Sequence, residues 1–140
     1  MNYYNEIKKE LIDNELNKKV KDYSKNKYEI QKYYNVGKLL LEAGNNYGER
    51  IIKDYSEKLI KEVNKKYNER TLRRMRQFYR KFCDKKWSTL STKLSWSHYT
   101  ELLPIKNEDE MLYYFNLCVN QHIDVRSLRE KIKSKEYNRL

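Results

Sequence analysis

The chain is 140 residues long and sets 31 Lys and Arg against 20 Asp and Glu, a net charge of +11 that calls for an anionic partner. Three glycines and one proline are too few for the regular turns of an all-β fold, and fourteen tyrosines and two tryptophans need packing partners that a disordered chain does not supply. No apolar run reaches membrane-spanning length and no signal peptide is evident, so a cytoplasmic protein with no membrane partner is expected.

Residues 3–43 read as helix in two pieces, broken near Ser24-Lys25-Asn26. Ile12, Leu16, Val20, Tyr23, Lys27, Ile30, Tyr34, Gly37 and Leu41 recur at steps of three and four, which defines one helix face. A stripe of that length could also pair with a second copy of itself. Gly44 is the expected helix terminator, with Asn45 and Asn46 in the following loop.

A second helical pattern covers 49–66, with Ile52, Tyr55, Leu59, Ile60 and Val63 on its apolar face. A very short turn at Tyr67-Asn68 leads into a third helix, 69–82, for which Asn68 is a good N-cap. This helix is the most informative stretch of the chain. Leu72, Met75, Tyr79 and Phe82 form the stripe expected to face the core. Arg70, Arg73, Arg74, Arg76, Gln77, Arg80 and Lys81 are the candidate nucleic-acid-binding residues, with Arg73, Arg76, Gln77 and Arg80 on the opposite face. Residues 53–86 hold thirteen Lys and Arg and five acids. Two helices joined tightly, the second one basic, have the outline of a helix-turn-helix. A helix fits the major groove, and arginine pairs with guanine or phosphate through two parallel bonds. A basic helix also arises with no partner at all, as a solvated face over a buried stripe, and the pattern alone leaves both readings open.

Short helices are expected at 86–93 and 96–103, the second capped by Ser95 and ended near Pro104. Trp96 is expected to be largely buried, with His98 as its hydrogen-bonding support. Asn107 and Glu110 have capping-box spacing and open a helix carrying Met111, Tyr114, Phe115 and Cys118. Asp124 caps a last helix through Val125, Leu128 and Ile132, and the polar C-terminus is expected to fray. The architecture read from these patterns is all-α, a bundle of six or seven helices in one domain.

Catalytic and metal chemistry finds no foothold. Cys83 and Cys118 lack metal-ligand spacing and read as two buried, reduced thiols. No phosphate-binding glycine loop, nucleophile elbow or paired-carboxylate cluster is present, so no cofactor, no metal site and no enzyme activity is expected.

Four stretches are distinctive in order and spacing: YGERIIKDYSEKL, LRRMRQFY, STLSTKLSWSHYTELLPIKNEDEMLYYF and DVRSLREKIKSKEYNRL. Together they resemble the N-terminal domain of the YhcG family of bacterial proteins, a domain of unknown function that normally precedes a PD-(D/E)XK nuclease domain. The resemblance runs from about residue 4 to residue 140. It implies a helical, helix-turn-helix-like DNA-binding module that brings a nuclease to its target. The chain departs from the family pattern in two places. The glycine-rich turn that usually precedes the basic helix is replaced by a shorter Tyr67-Asn68-Glu69-Arg70-Thr71, and the chain stops where the nuclease would begin. A nucleic-acid-binding module, with DNA the favoured ligand, is therefore the first functional expectation. The second is a phage or mobile-element inhibitor that binds a host defence nuclease complex of the CRISPR type, or its guide RNA.

Overall fold

The computed structural model describes residues 2–18, 25–83 and 94–140. Among them are seven α-helices: α1 (Tyr3–Lys18), α2 (Lys25–Tyr47), α3 (Arg50–Glu62), α4 (Glu69–Phe82), α5 (Trp96–Leu102), α6 (Glu108–Gln121) and α7 (Val125–Lys133). A short 3-10 turn, Glu136–Arg139, closes the chain, and no strand occurs among the described residues. The fold is all-α, as composition demands. The helix expected over 86–93, with Trp87, Lys85 and Lys86, lies outside the described residues, as do Val20 and Tyr23 and the side chain of Lys27.

The helices fall into two compact units, α1–α4 and α5 to the C-terminus. In the first, α1 and α2 form an antiparallel hairpin. Asn46 at the end of α2 donates to the Tyr3 hydroxyl (2.9 Å), Asn35 to Glu10 (3.3 Å) and the buried Asn14 to the Tyr33 hydroxyl (3.4 Å). The break between the helices changes which face is buried. Ile7, Leu11 and Asn14 of α1 and Ile30, Tyr33, Val36, Leu40 and Ala43 of α2 form the buried line. Of the single stripe expected through Ile12, Leu16, Ile30, Tyr34, Gly37 and Leu41, only Ile30 and Gly37 are buried: Ile12, Tyr34 and Leu41 are half-buried and Leu16 is 58% exposed. A face extrapolated across a chain reversal loses its phase.

Gly44 does not end α2. It sits within the helix, and termination falls to Gly48, whose φ of 91° is open to glycine and costly for other residues. The Gly48 N–H still bonds to the Gly44 carbonyl (2.8 Å) before the chain turns into α3. Gly37 has a different task. A β-carbon there would lie 2.1 Å from the Met75 carbonyl oxygen and 2.9 Å from the β-carbon of Tyr79. The backbones of α2 and α4 touch at this point, and only a residue without a side chain permits it.

α3 buries Ile52, Tyr55, Ser56 and Leu59 and stops at Glu62, four residues short of the expected end. Residues 63–68 therefore separate α3 from α4, a longer connection than the tight turn read from the sequence. Tyr67 anchors it. Its ring is fully buried, its hydroxyl donates to Glu15 of α1 at 2.5 Å, and its carbonyl accepts from the Ser56 hydroxyl.

In the second unit, α5, α6 and α7 pack around Leu94, Tyr99, Leu102, Leu103, Met111, Tyr114, Phe115, Cys118 and Leu128. The caps expected from sequence are present: Ser95 accepts from the His98 N–H, Asn107 from the Glu110 N–H and Asp124 from the Ser127 N–H. The C-terminus is held down rather than frayed. Tyr113 donates to Glu136 (2.8 Å), Lys131 pairs with the same carboxylate, and the Tyr137 N–H bonds to the Tyr114 hydroxyl.

Candidate nucleic-acid interface

α4 is the centre of the first unit. Asn68 caps it by accepting the Thr71 N–H (3.0 Å), and Glu69 places a negative charge in its first turn, where the helix dipole favours one. Arg80 and Lys81 occupy the last turn, which favours cations. Leu72, Met75, Phe78 and Phe82 are buried against the rest of the unit, so the helix is rooted along its whole length. Phe78 takes the core position that the sequence pattern assigned to Tyr79. Tyr79 is half-buried and lies against Tyr34, with ring centroids 4.9 Å apart.

This one-residue shift in phase re-sorts the seven candidate side chains. Arg70, Arg73, Gln77 and Arg80 are exposed and, at steps of three, four and three, share the outward crest of the helix. Arg74 and Lys81 are half-buried along one flank, where burial holds the Lys81 ammonium below its ordinary pKa. Arg76 does not face outward. It is 7% exposed, on the opposite flank, with its guanidinium beside Gly44 of α2.

Arg76 tolerates burial because it is paired. Its Nη1 donates to both carboxylate oxygens of Glu49, at 2.9 and 2.8 Å. Glu49 follows Gly48 in the turn between α2 and α3, and its own side chain makes no cap bond to α3. The same carboxylate accepts from Arg73 Nη1 at 3.3 Å, while Arg73 Nε and Nη2 donate to Glu69 at 3.1 and 2.8 Å. Hydrogen bonding from Arg76, helped by Arg73, holds the Glu49 carboxyl below the usual carboxylate range. Arg73 and Arg76 are thus engaged inside the fold. Arg70, Arg74 and Arg80 have no ion pair or side-chain hydrogen bond among the described residues. An open depression of about 580 Å³ runs along this helix, lined by Asn68, Glu69, Arg70, Arg73, Arg74 and Gln77.

Glu49 escaped sequence reasoning because it lies 24 and 27 residues from its partners, with no periodicity to connect them. The Glu69–Arg73 pair had a local signal, the i, i+4 spacing of opposite charges on a helix.

The other candidates take structural places. His98 closes a capping box: Ser95 N–H donates to Nδ1 (3.1 Å) and Nε2–H donates to the Ile123 carbonyl (2.9 Å), tying α5 to the loop before α7. Trp96 is half-buried rather than largely buried, and the histidine serves the helix end instead of the indole. Cys118 is buried, which pushes its thiol up to about 11, whereas Cys83 at the end of α4 is exposed, against expectation. No cluster of His, Cys, Asp and Glu able to hold a metal occurs among the described residues. None of their helices is long and apolar enough to cross a membrane.

Compared with known proteins, the chain matches one family model, the DUF1016 N-terminal domain, over residues 3–139. No curated protein and no solved structure matches it.

Proposed function

The chain belongs to the DUF1016 N-terminal domain family, and from that premise we propose that it is a nucleic-acid-binding module without catalysis of its own, with DNA as ligand and the crest of α4 as the contact surface. One observation carries this reading: Arg70, Arg74 and Arg80 lie along a helix whose far side is locked into the core, and no described acid neutralises them. A solvated helix of a monomer ordinarily disperses its charges or matches them with acids four residues away. Here the matching acids take Arg73 and Arg76 and leave Arg70, Arg74 and Arg80 unmatched among the described residues. α3 and α4 pack on each other with α2 behind α4, but the connection over 63–68 is longer than the turn of about three or four residues in a helix-turn-helix, so the reading rests on the arginines and not on that outline. The PD-(D/E)XK nuclease implied by the resemblance to YhcG proteins would be the activity that such a module delivers.

Binding measured by fluorescence anisotropy against a salt series tests this directly. Arg70, Arg74 and Arg80 offer about three phosphate contacts, so affinity for duplex DNA should fall about fortyfold between 50 and 200 mM salt. Arg73 and Arg76, held by carboxylates, should add little to that slope. No binding at low salt, or binding indifferent to salt, would contradict the proposal.

A further inference from the structure

A second depression, of about 460 Å³, opens on the first unit where α1 begins and α2 ends, lined by Asn2, Tyr3, Tyr47, Ile51 and Tyr55. Tyr55 is its unusual member. It is 7% exposed, and its ring packs on Tyr4 with centroids 5.4 Å apart, yet its hydroxyl makes no hydrogen bond among the described residues. A buried phenol ordinarily finds a partner for its O–H. Burial, and after it the phenols of Tyr47 and Tyr3, raises this hydroxyl above its ordinary pKa, so it stays protonated at neutral pH and is able to donate.

The other walls are aromatic and apolar. Tyr47 is 64% exposed and meets only Tyr3 among the described rings, edge-on, with centroids 6.2 Å apart and planes at 75°. Ile51 adds an apolar side. Asn2 uses its Oδ1 to accept the Asn5 N–H (3.1 Å), and its Nδ2 has no partner among the described residues. The group that fits is flat, stacks on an aromatic face and carries hydrogen-bonding atoms at its edge. A nucleobase has that form, and base–aromatic stacking serves every base. A quaternary ammonium suits aromatic walls but leaves the Tyr55 hydroxyl without a partner, as an aliphatic side chain does. Lys58, whose ammonium lies 5.1 Å from the centroid of the Tyr4 ring, also opposes a cation there.

The place of the depression suits the same ligand. Tyr47 and Ile51 flank Glu49, which holds Arg73 and Arg76 of α4, so one short turn of chain joins the depression to the arginine helix. A base inside a duplex is stacked on both faces and cannot enter, whereas an unpaired base can.

We propose that this depression is a subsite for one unpaired nucleobase, stacked on Tyr47 and bonded at its edge by the Tyr55 hydroxyl, so that the protein prefers duplex DNA with a single-stranded extension to blunt duplex. This rests on the DNA-binding reading above, with the arginines of α4 on the duplex.

The test is fluorescence anisotropy of the full chain with one duplex in three forms: blunt, with a short thymidine extension, and with an abasic extension of the same length. The abasic form supplies the added phosphates without bases. Wild type should bind the thymidine form about tenfold more tightly than the abasic form. Tyr47→Ala should abolish that difference, and Tyr55→Phe, which keeps the ring and removes the hydroxyl, should reduce it about threefold. Both variants should bind blunt duplex within about threefold of wild type, and Tyr47 is exposed enough for its replacement to leave the melt unchanged. Equal affinity of wild type for the thymidine and abasic forms would overturn the subsite, and is the result expected if the depression takes a protein side chain instead. A thymidine advantage that survives Tyr47→Ala would overturn it too, and one untouched by Tyr55→Phe would overturn the role of the hydroxyl. Salt-dependent binding of the blunt duplex in any of these cases leaves the DNA-binding reading standing. A wild type that binds none of the three forms would overturn both together.

Discussion

Arg76 is arginine at a nearly core position, and its neighbours explain why that is tolerated. Its side chain is all but buried, with the guanidinium beside Gly44 of α2 and reaching a carboxylate that is itself 62% exposed. The ion pair therefore contributes little by itself, since one half stands in water, and most of the value lies in the packed stem. Arg76→Ala should lower stability by about 1 to 3 kcal/mol, measurable by urea melts, with duplex affinity changed far less than by Arg80→Ala. Replacing Arg73, Arg76 and Arg80 together would mix a folding defect with a binding defect. Glu49 adds a pH signature. Its folded-state pKa is depressed, so its contribution is fully present above the ordinary carboxylate value, about 4.3, and is lost as pH falls through the lower folded value. The melting temperatures of wild type and Glu49→Gln should therefore differ at neutral pH and converge in acid, once the pH has fallen through the depressed folded value. A gap that is constant with pH would mean that the charge of Glu49 plays no part. None of this was legible in the local sequence. The amphipathic pattern identified α4 and its approximate faces, but a residue at the edge of a stripe goes inward or outward according to what stands opposite it. For Arg76, that is Glu49 and Gly44.

Among the elements, the crossing of α2 and α4 determines the presentation of the crest. Gly37 makes it possible, and no repositioned rotamer can relieve a β-carbon 2.1 Å from a backbone oxygen. An alanine in a helix interior ordinarily gains about 1 kcal/mol over glycine. Here the clash outweighs that gain, and Gly37→Ala should destabilise by about 3 kcal/mol or more, a large share of the 5 to 15 kcal/mol typical of a domain. A melt like that of wild type would show that the helices do not meet there. The sequence pattern placed Gly37 on the apolar face of α2, but a glycine among apolar residues does not reveal whether it marks a contact or a break. Gly44 illustrates the opposite error: it reads as a terminator, yet the helix runs on to Gly48. The caps were more legible because each is a local arrangement. Asn68, Ser95, Asn107 and Asp124 all accept the N–H three residues ahead. The end of α3 was not: Asn64 turns the chain locally, accepting the N–H groups of Lys66 and Tyr67, but the anchor of the turn, Tyr67, is held by Glu15 and Ser56 from other helices.

At the scale of the whole molecule, a net charge of +11 attracts any polyanion, so weak binding to nucleic acid is not in itself informative. What would be informative is localisation of that binding to one helix. The exposed lysines of α3, Lys53, Lys58 and Lys61, supply a built-in comparison, since they are similar in charge and number to the free arginines of α4. Composition alone was enough to identify the helical class, because that follows from totals. It could not distribute the charge between paired and unpaired groups, because that depends on tertiary contacts. The decisive measurement is duplex DNA affinity at 100 mM salt for Arg70→Ala/Arg74→Ala/Arg80→Ala beside Lys53→Ala/Lys58→Ala/Lys61→Ala, each checked for an unchanged melt. A loss of well over tenfold for the arginine triple, with no more than about threefold for the lysine triple, is the result predicted for a binding surface on α4. Equal losses in the two would mean that the protein attracts DNA only by its overall charge, and would contradict it.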